Sequence, residues 1–162
     1  MVQDPLEGLP YRKNVGVMVM NADGHIWAGR RLDNPSDAWQ MPQGGIDKGE
    51  EARAAALREL TEETSIPADA VELVAETEGW IAYDLPVELV GKLWKGKYRG
   101  QKQKWYLMRF DGPDELVNIE TDEPEFSHWA WMPWGDLLEK IVPFKRHVYE
   151  EVGRAFEDHL RT

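Results

Sequence analysis

Apolar residues fall into short runs of different kinds along this chain. Val15 to Met20 is almost continuously apolar, Asn21-Ala22-Asp23-Gly24 has turn composition, and His25 to Ala28 resumes, which predicts a strand, a tight turn and a returning strand. Residues 30–45, RRLDNPSDAWQMPQGG, hold too much Pro, Gly and Asn for regular structure and predict a loop. From Glu50 to Thr64 the pattern switches to strong helix formers with acids in the first turn, and Pro67 ends the predicted helix. Val71–Ala82, Trp105–Phe110 and Phe126–Trp131 predict three further strands, the second closed by Asp111-Gly112-Pro113. After Pro133 the chain predicts a short helix over Trp134–Ile141. A long amphipathic one follows over Pro143–Leu160, with Phe144, Val148, Val152 and Phe156 spaced by fours. Strands and helices intermingle, nothing repeats, and no low-complexity linker divides the chain.

A length of 162 residues suits one domain, 1–162, with a core large enough to fold alone. The absence of cysteine removes disulfides, thiolate metal sites and cysteine nucleophiles, and is consistent with a reducing cytoplasm. No stretch reaches eighteen consecutive apolar residues and the N-terminus lacks a signal-peptide pattern, so a soluble, unexported protein with no membrane partner is expected. A net charge of −11 argues against a broad basic face that wraps nucleic acid. One island departs from this average. Lys92 to Lys104, KLWKGKYRGQKQK, carries six cations and no acid, interleaved with Trp94 and Tyr98. It reads either as a grip on one end of a polyanion or as a solvated loop with a lysine-guarded strand.

The predicted helix at 50–64 carries the candidate chemistry. Glu59, Glu62 and Glu63 stand at i, i+3 and i+4 and so project from one face. Like charges at that spacing repel by a few tenths of a kcal/mol per pair, about 0.2–0.5. A hard divalent cation converts the repulsion into coordination, and with no His or Cys nearby the oxygen donors call for magnesium or manganese. Arg58 lies one turn from Glu62, where its guanidinium can fix a carboxylate. Gly44 lacks a Cβ, which lets its carbonyl approach a metal closely.

Written out, the segment is Gly44, five residues, Glu50, seven residues, Arg58-Glu59-Leu60, one residue, Glu62-Glu63, one residue, Ser65-Ile66. It resembles the Nudix box at every fixed position but one, the family having Gly where this chain has Ser65. The resemblance implies an α/β (α+β) Nudix fold, a mixed β-sheet held between helices, with the box as a loop-helix-loop metal site. It implies a pyrophosphohydrolase that uses Mg²⁺ or Mn²⁺. Glu59 and Glu63 become the principal metal ligands, Glu62 an additional one, and either Glu125 or Glu59 the general base. Ser65 is expected in the left-handed conformation of a helix C-cap, at a cost of about 1 kcal/mol.

Tyr11–Gly16, Trp39–Gly45, Gly100–Trp105, Pro124–Phe126 and Phe144–Arg146 extend the likeness over nearly the whole chain, to the family's bacterial RNA pyrophosphohydrolase subfamily. That likeness implies the 5′ end of RNA as partner, with Arg12, Arg31, Gln101, Lys102, Lys104 and Lys145 as phosphate contacts and Tyr83 as a further one. Val142 and Phe144, with Arg31 opposite, match a base clamp. Phe144 equally suits the first position of the last helix's apolar stripe. Dinucleoside polyphosphate hydrolysis is the neighbouring activity, and an idle RNA-end or nucleotide binder is the reading from another class.

Overall fold

The structure is a computed structural model describing residues 8–32, 38–90 and 92–160. Its centre is a parallel pair, β1 (Tyr11–Met20) and β7 (Gly100–Phe110), in register from Tyr11 opposite Gly100 to Met20 opposite Arg109. Each long strand divides its outer edge between two partners. β1 meets β2 (Ile26–Arg31) at its C-terminal end and β4 (Gln43–Gly45) at 14–16, while β7 meets β5 (Val71–Glu76) toward its end and β6 (Ile81–Asp84) at 100–103. β3 (Trp39–Gln40) and β8 (Phe126–Met132) both lie against β2, completing an eight-stranded mixed sheet.

Helices cover both faces. α1 (Ala52–Thr64) sets Ala55, Ala56 and Leu60 against Val15, Val17, Tyr106 and Met108. On the opposite face α3 (Trp134–Lys140) and α4 (Arg146–Ala155) bring Leu137, Val148, Tyr149 and Val152 onto Met18, Ile26, Trp105 and Leu107. The tryptophans of β8 lie on the α1 face, Trp129 stacked on Trp27 and Trp131 on Phe110, while Trp134 at the start of α3 stacks on Tyr149. Among the described residues no helix is long and apolar enough to cross a membrane.

Several boundaries differ from the sequence reading, each for a local reason. The single strand expected over 71–82 is two, β5 and β6, because Thr77 interrupts it. Its backbone and hydroxyl exchange hydrogen bonds with the Trp105 backbone (3.0 and 3.1 Å), and the hydroxyl donates to the Gly79 carbonyl at 3.0 Å. The expected loop at 30–45 contains β3 and β4, since pairing with β2 and β1 recruits short segments that lack strand propensity of their own. The expected last helix is broken into a 3₁₀ turn at 143–145, then α4, then a short α5 (Glu157–Leu160), with a non-helical Phe156 between. A short α2 (Val87–Val90) was not legible in the sequence. Ser65 does cap α1 in the left-handed region (φ 67°), its N–H bonded to the Thr61 carbonyl at 2.9 Å. Its hydroxyl donates to the Asn118 carbonyl at 2.8 Å, a bond that a glycine would lack.

Candidate active site

Where β1 and β7 exchange their outer partners for β4 and β6, the sheet face turns from apolar to polar. Asn14, Gln43, Gln101 and Gln103 form an amide floor there. Gln103 Nε2 lies 2.8 Å from Asn14 Oδ1 and 3.1 Å from Gln43 Oε1, and its Oε1 accepts the Trp105 indole N–H at 3.2 Å. The floor opens into a cleft of about 1190 Å³. Glu59, Glu62, Glu63 and Glu125 line it together with Arg12, Arg31, Tyr83, Gln101, Val142, Phe144 and Lys145.

The acidic end is built by α1 and β4. A Cβ added to Gly44 would coincide with the Glu59 carboxylate, so this position requires glycine for the helix to bring Glu59 over the strand. On the other face of β4, a Cβ on Gly45 would stand 2.6 Å from Arg12 Nη2. The two glycines therefore let a carboxylate and a guanidinium close on the same short strand from opposite sides. Arg58 fastens the assembly: its guanidinium donates to Glu50 (2.9 Å through both Nε and Nη2), the Gly45 carbonyl (2.9 Å), Glu59 (2.9 Å) and Glu62 (3.1 Å). These bonds hold the Glu50 carboxyl down to about 2.

Glu63 is only 7% exposed and accepts a hydrogen bond from the Gln43 backbone N–H at 3.0 Å. Burial first, then the neighbouring Glu59 and Glu125 charges, push its pKa well above the ordinary carboxylate value. Burial also pushes Glu59 up, against the pull of Arg58. A buried carboxylate facing two further carboxylates is costly in isolation and suits a site that receives positive charge. Glu62 is 57% exposed and turned to Arg58. Among the described residues no three acidic or imidazole side chains converge on a common point as a ready cage. The donor set instead fits a hard cation held by one or two carboxylates and a backbone carbonyl, with water and phosphate oxygens completing the shell.

Glu125 precedes β8 and Arg31 ends β2, and the bulge between Arg30 and Arg31 sets them side by side, Arg31 Nη2 lying 3.9 Å from Glu125 Oε2. In the same cleft the Phe144 ring lies 6.0 Å from that of Tyr83, and the buried Lys145 sets its ammonium 5.7 Å above the same Tyr83 ring. Phe144 is half-buried. It leaves the apolar stripe of the last helix because the 3₁₀ turn rotates it toward the cleft.

Two expected phosphate contacts lie outside the cleft. Lys102 and Lys104 alternate with Gln101 and Gln103 along β7 and so face away from the cleft, Lys104 pairing with Glu76 at 3.2 Å. The basic island is thus divided: Trp94 reaches the cleft wall beneath the Arg12 guanidinium (5.4 Å), while these two lysines do not. The sequence reading also missed Asn14, Gln43 and Gln103 as parts of the floor. The period-2 alternation of polar residues through Gln101 and Gln103 was the available signal.

Comparison with known proteins matches this geometry to a family. The NUDIX domain model matches residues 10–152. A curated protein of Roseobacter denitrificans named RNA pyrophosphohydrolase is 60% identical over 160 residues, covering 99% of this chain and all of that protein. The E. coli dihydroneopterin triphosphate pyrophosphohydrolase structure superposes with a TM-score of 0.68 at 20% identity, covering 88% of this chain and 96% of that one. A C. elegans Ap4A hydrolase binary complex gives 0.63 at 18% identity, covering 90% and 98%. At those identities the two structures share the fold alone, whereas the matched family model spans most of the chain and includes the carboxylate helix and the cleft. This protein belongs to the Nudix family.

Proposed function

We propose that this protein is an RNA 5′ pyrophosphohydrolase: water attacks phosphorus in the 5′-triphosphate, the anhydride bond between the α and β phosphates breaks, and RNA with a 5′-monophosphate and free pyrophosphate are left. By leaving that end it promotes mRNA decay. The observation that carries the reading is the cleft itself, which gathers carboxylates, cations and aromatic rings within one cavity of about 1190 Å³. The near-full-length likeness to a protein named RNA pyrophosphohydrolase supports the same substrate.

Glu59, Glu63 and the Gly44 carbonyl would hold a divalent cation, Mg²⁺ or Mn²⁺, with Glu62 available from the rim. Such an ion, when bound, supplies charge neutralisation to phosphate oxygens and acidifies water. Arg12, Arg31 and Lys145 neutralise the remaining phosphate charge and set the chain's register, as point and fork donors suited to phosphate. Gln101 adds an uncharged donor from the floor. Phe144 and Val142 offer an apolar surface for a base opposite Arg31. Glu125 is the proton acceptor in this scheme, because the Glu59 carboxylate is hydrogen-bonded by Arg58, whereas the Glu125 carboxylate faces Glu63 across the cleft and lies 3.9 Å from Arg31. A cytoplasmic location is part of this proposal, because the RNA substrate is made there.

The test compares kcat/KM for triphosphorylated RNA and for diadenosine tetraphosphate, each with magnesium or manganese. The proposal expects RNA to be preferred and a 5′-monophosphate to form. Preference for the dinucleotide would move the protein to the neighbouring activity, and no turnover of either would leave a binder.

A further inference from the structure

The face of the sheet on which α1 packs carries an exposed aromatic ring that neither core nor cleft uses. Trp80 is 41% exposed, and the ammonium groups of Lys13 and Lys102 each lie 5.8 Å from its ring centre. Among the described residues neither lysine is within ion-pair distance of a carboxylate, in contrast to Lys104, which is held by Glu76. The ring is not on a loose tip. It follows the Thr77–Gly79 turn pinned to Trp105 and immediately precedes β6, where Ala82 lies opposite Lys102 and Lys13 lies opposite Lys102 across β1 and β7. Three residues after Trp80 the same segment presents Tyr83 to the cleft beside Phe144, so about 10 Å of strand separates the two surfaces. In a chain of net charge −11, two lysines flanking an exposed indole make a local basic, aromatic patch.

We propose that Trp80, Lys13 and Lys102 form a second contact surface for single-stranded RNA, receiving nucleotides downstream of those held in the cleft. The inference rests on the RNA reading given above. A flat ring stacks any base without regard to sequence, and lysines beside it meet the backbone phosphates on either side. The strand passes from Tyr83 and Phe144 over the edge of β6, where His147 Nε2 lies 3.4 Å from the Ala82 carbonyl and contributes a polar side chain to the route. The surface lengthens the footprint of the enzyme on RNA without touching the reacting phosphates.

Trp80→Ala should raise KM for a triphosphorylated RNA of about ten nucleotides by on the order of tenfold, the effect expected for one lost stacked base. It should leave kcat, and KM for a triphosphorylated dinucleotide, unchanged. Trp80→Phe should recover most of the loss, and Lys13→Ala with Lys102→Ala should flatten the salt dependence of KM by a slope of roughly 1.4. Equal KM values for the longer RNA in wild type and Trp80→Ala, with both proteins folded by thermal melting, would overturn the surface. The parallel measurement is anisotropy with 5′-hydroxyl RNA, which needs no turnover. If wild type failed to hydrolyse RNA, the enzymatic reading alone would fall. Weaker binding of this probe by Trp80→Ala would still support the surface, and unchanged binding would still refute it.

Discussion

Replacing Glu63 by glutamine should move activity and stability in opposite directions. The Glu63 carboxylate is 7% exposed, keeps one backbone hydrogen bond from Gln43, and faces the charges of Glu59 and Glu125. Glutamine has the same length, and its amide oxygen can accept the same N–H at 3.0 Å, so the fold loses no contact. What disappears is a buried negative charge among negative charges. Removing a buried ionic group in favour of a neutral isostere is neutral to stabilising, and a gain of about 1 kcal/mol corresponds in a chain of this size to roughly 2–4 °C in Tm. The metal-free variant should therefore melt at or above the wild-type temperature. Its turnover of triphosphorylated RNA should fall at least about 100-fold, a loss of about 2.7 kcal/mol of transition-state stabilisation. The stabilisation of wild type by added magnesium should shrink in parallel. The assays are thermal melts with and without magnesium and initial rates at saturating metal. Near-normal turnover would remove Glu63 from the metal site, and a Tm lowered by several degrees would refute the claim that this carboxylate is retained at the fold's expense.

Gly44→Ala places a methyl on the Glu59 carboxylate, so it should cut kcat severely while leaving the far-UV spectrum native; full activity would mean that Glu59 is not needed where it stands. Phe144→Ala should weaken RNA binding by about 1–3 kcal/mol with little change in Tm. A loss of about 3–5 kcal/mol in stability with affinity unchanged would instead make this half-buried ring a core residue. The Glu50 carboxyl has a folded pKa of about 2 against an ordinary 4.5, so its pairing with Arg58 stabilises the protein above about pH 4.5 and that contribution is lost as pH falls through about 2. Glu50→Gln should accordingly lower Tm at neutral pH and flatten the decline of Tm in that acid window; an unaltered acid profile would show that the pair contributes nothing.

Local chemistry wrote much of the site into the sequence. The i, i+3, i+4 placement of Glu59, Glu62 and Glu63 follows from helical periodicity alone, as does the reach of Arg58 to Glu62. The requirement for left-handed backbone at Ser65 also follows from the box. What the sequence left open was which way a strand faces. Lys102 and Lys104 lie in the same stretch as Gln101, and only the register of β7 against β1 and β6 sends the amide inward and the ammonium groups outward, because successive strand residues point to opposite faces.

By itself the sequence determined the carboxylate helix, the class of fold and, through its wider likeness, the family. Those features rest on interactions within a few residues, which a linear pattern records. Tertiary structure decided the rest. It brought Arg12 onto Gly45, set Glu125 opposite Glu63, turned Phe144 out of the last helix into the cleft, and left Trp80 exposed between two lysines. Each of these joins segments far apart in the chain, and their meeting is fixed by strand pairing and by the close approach that two glycines permit, neither of which a local pattern contains.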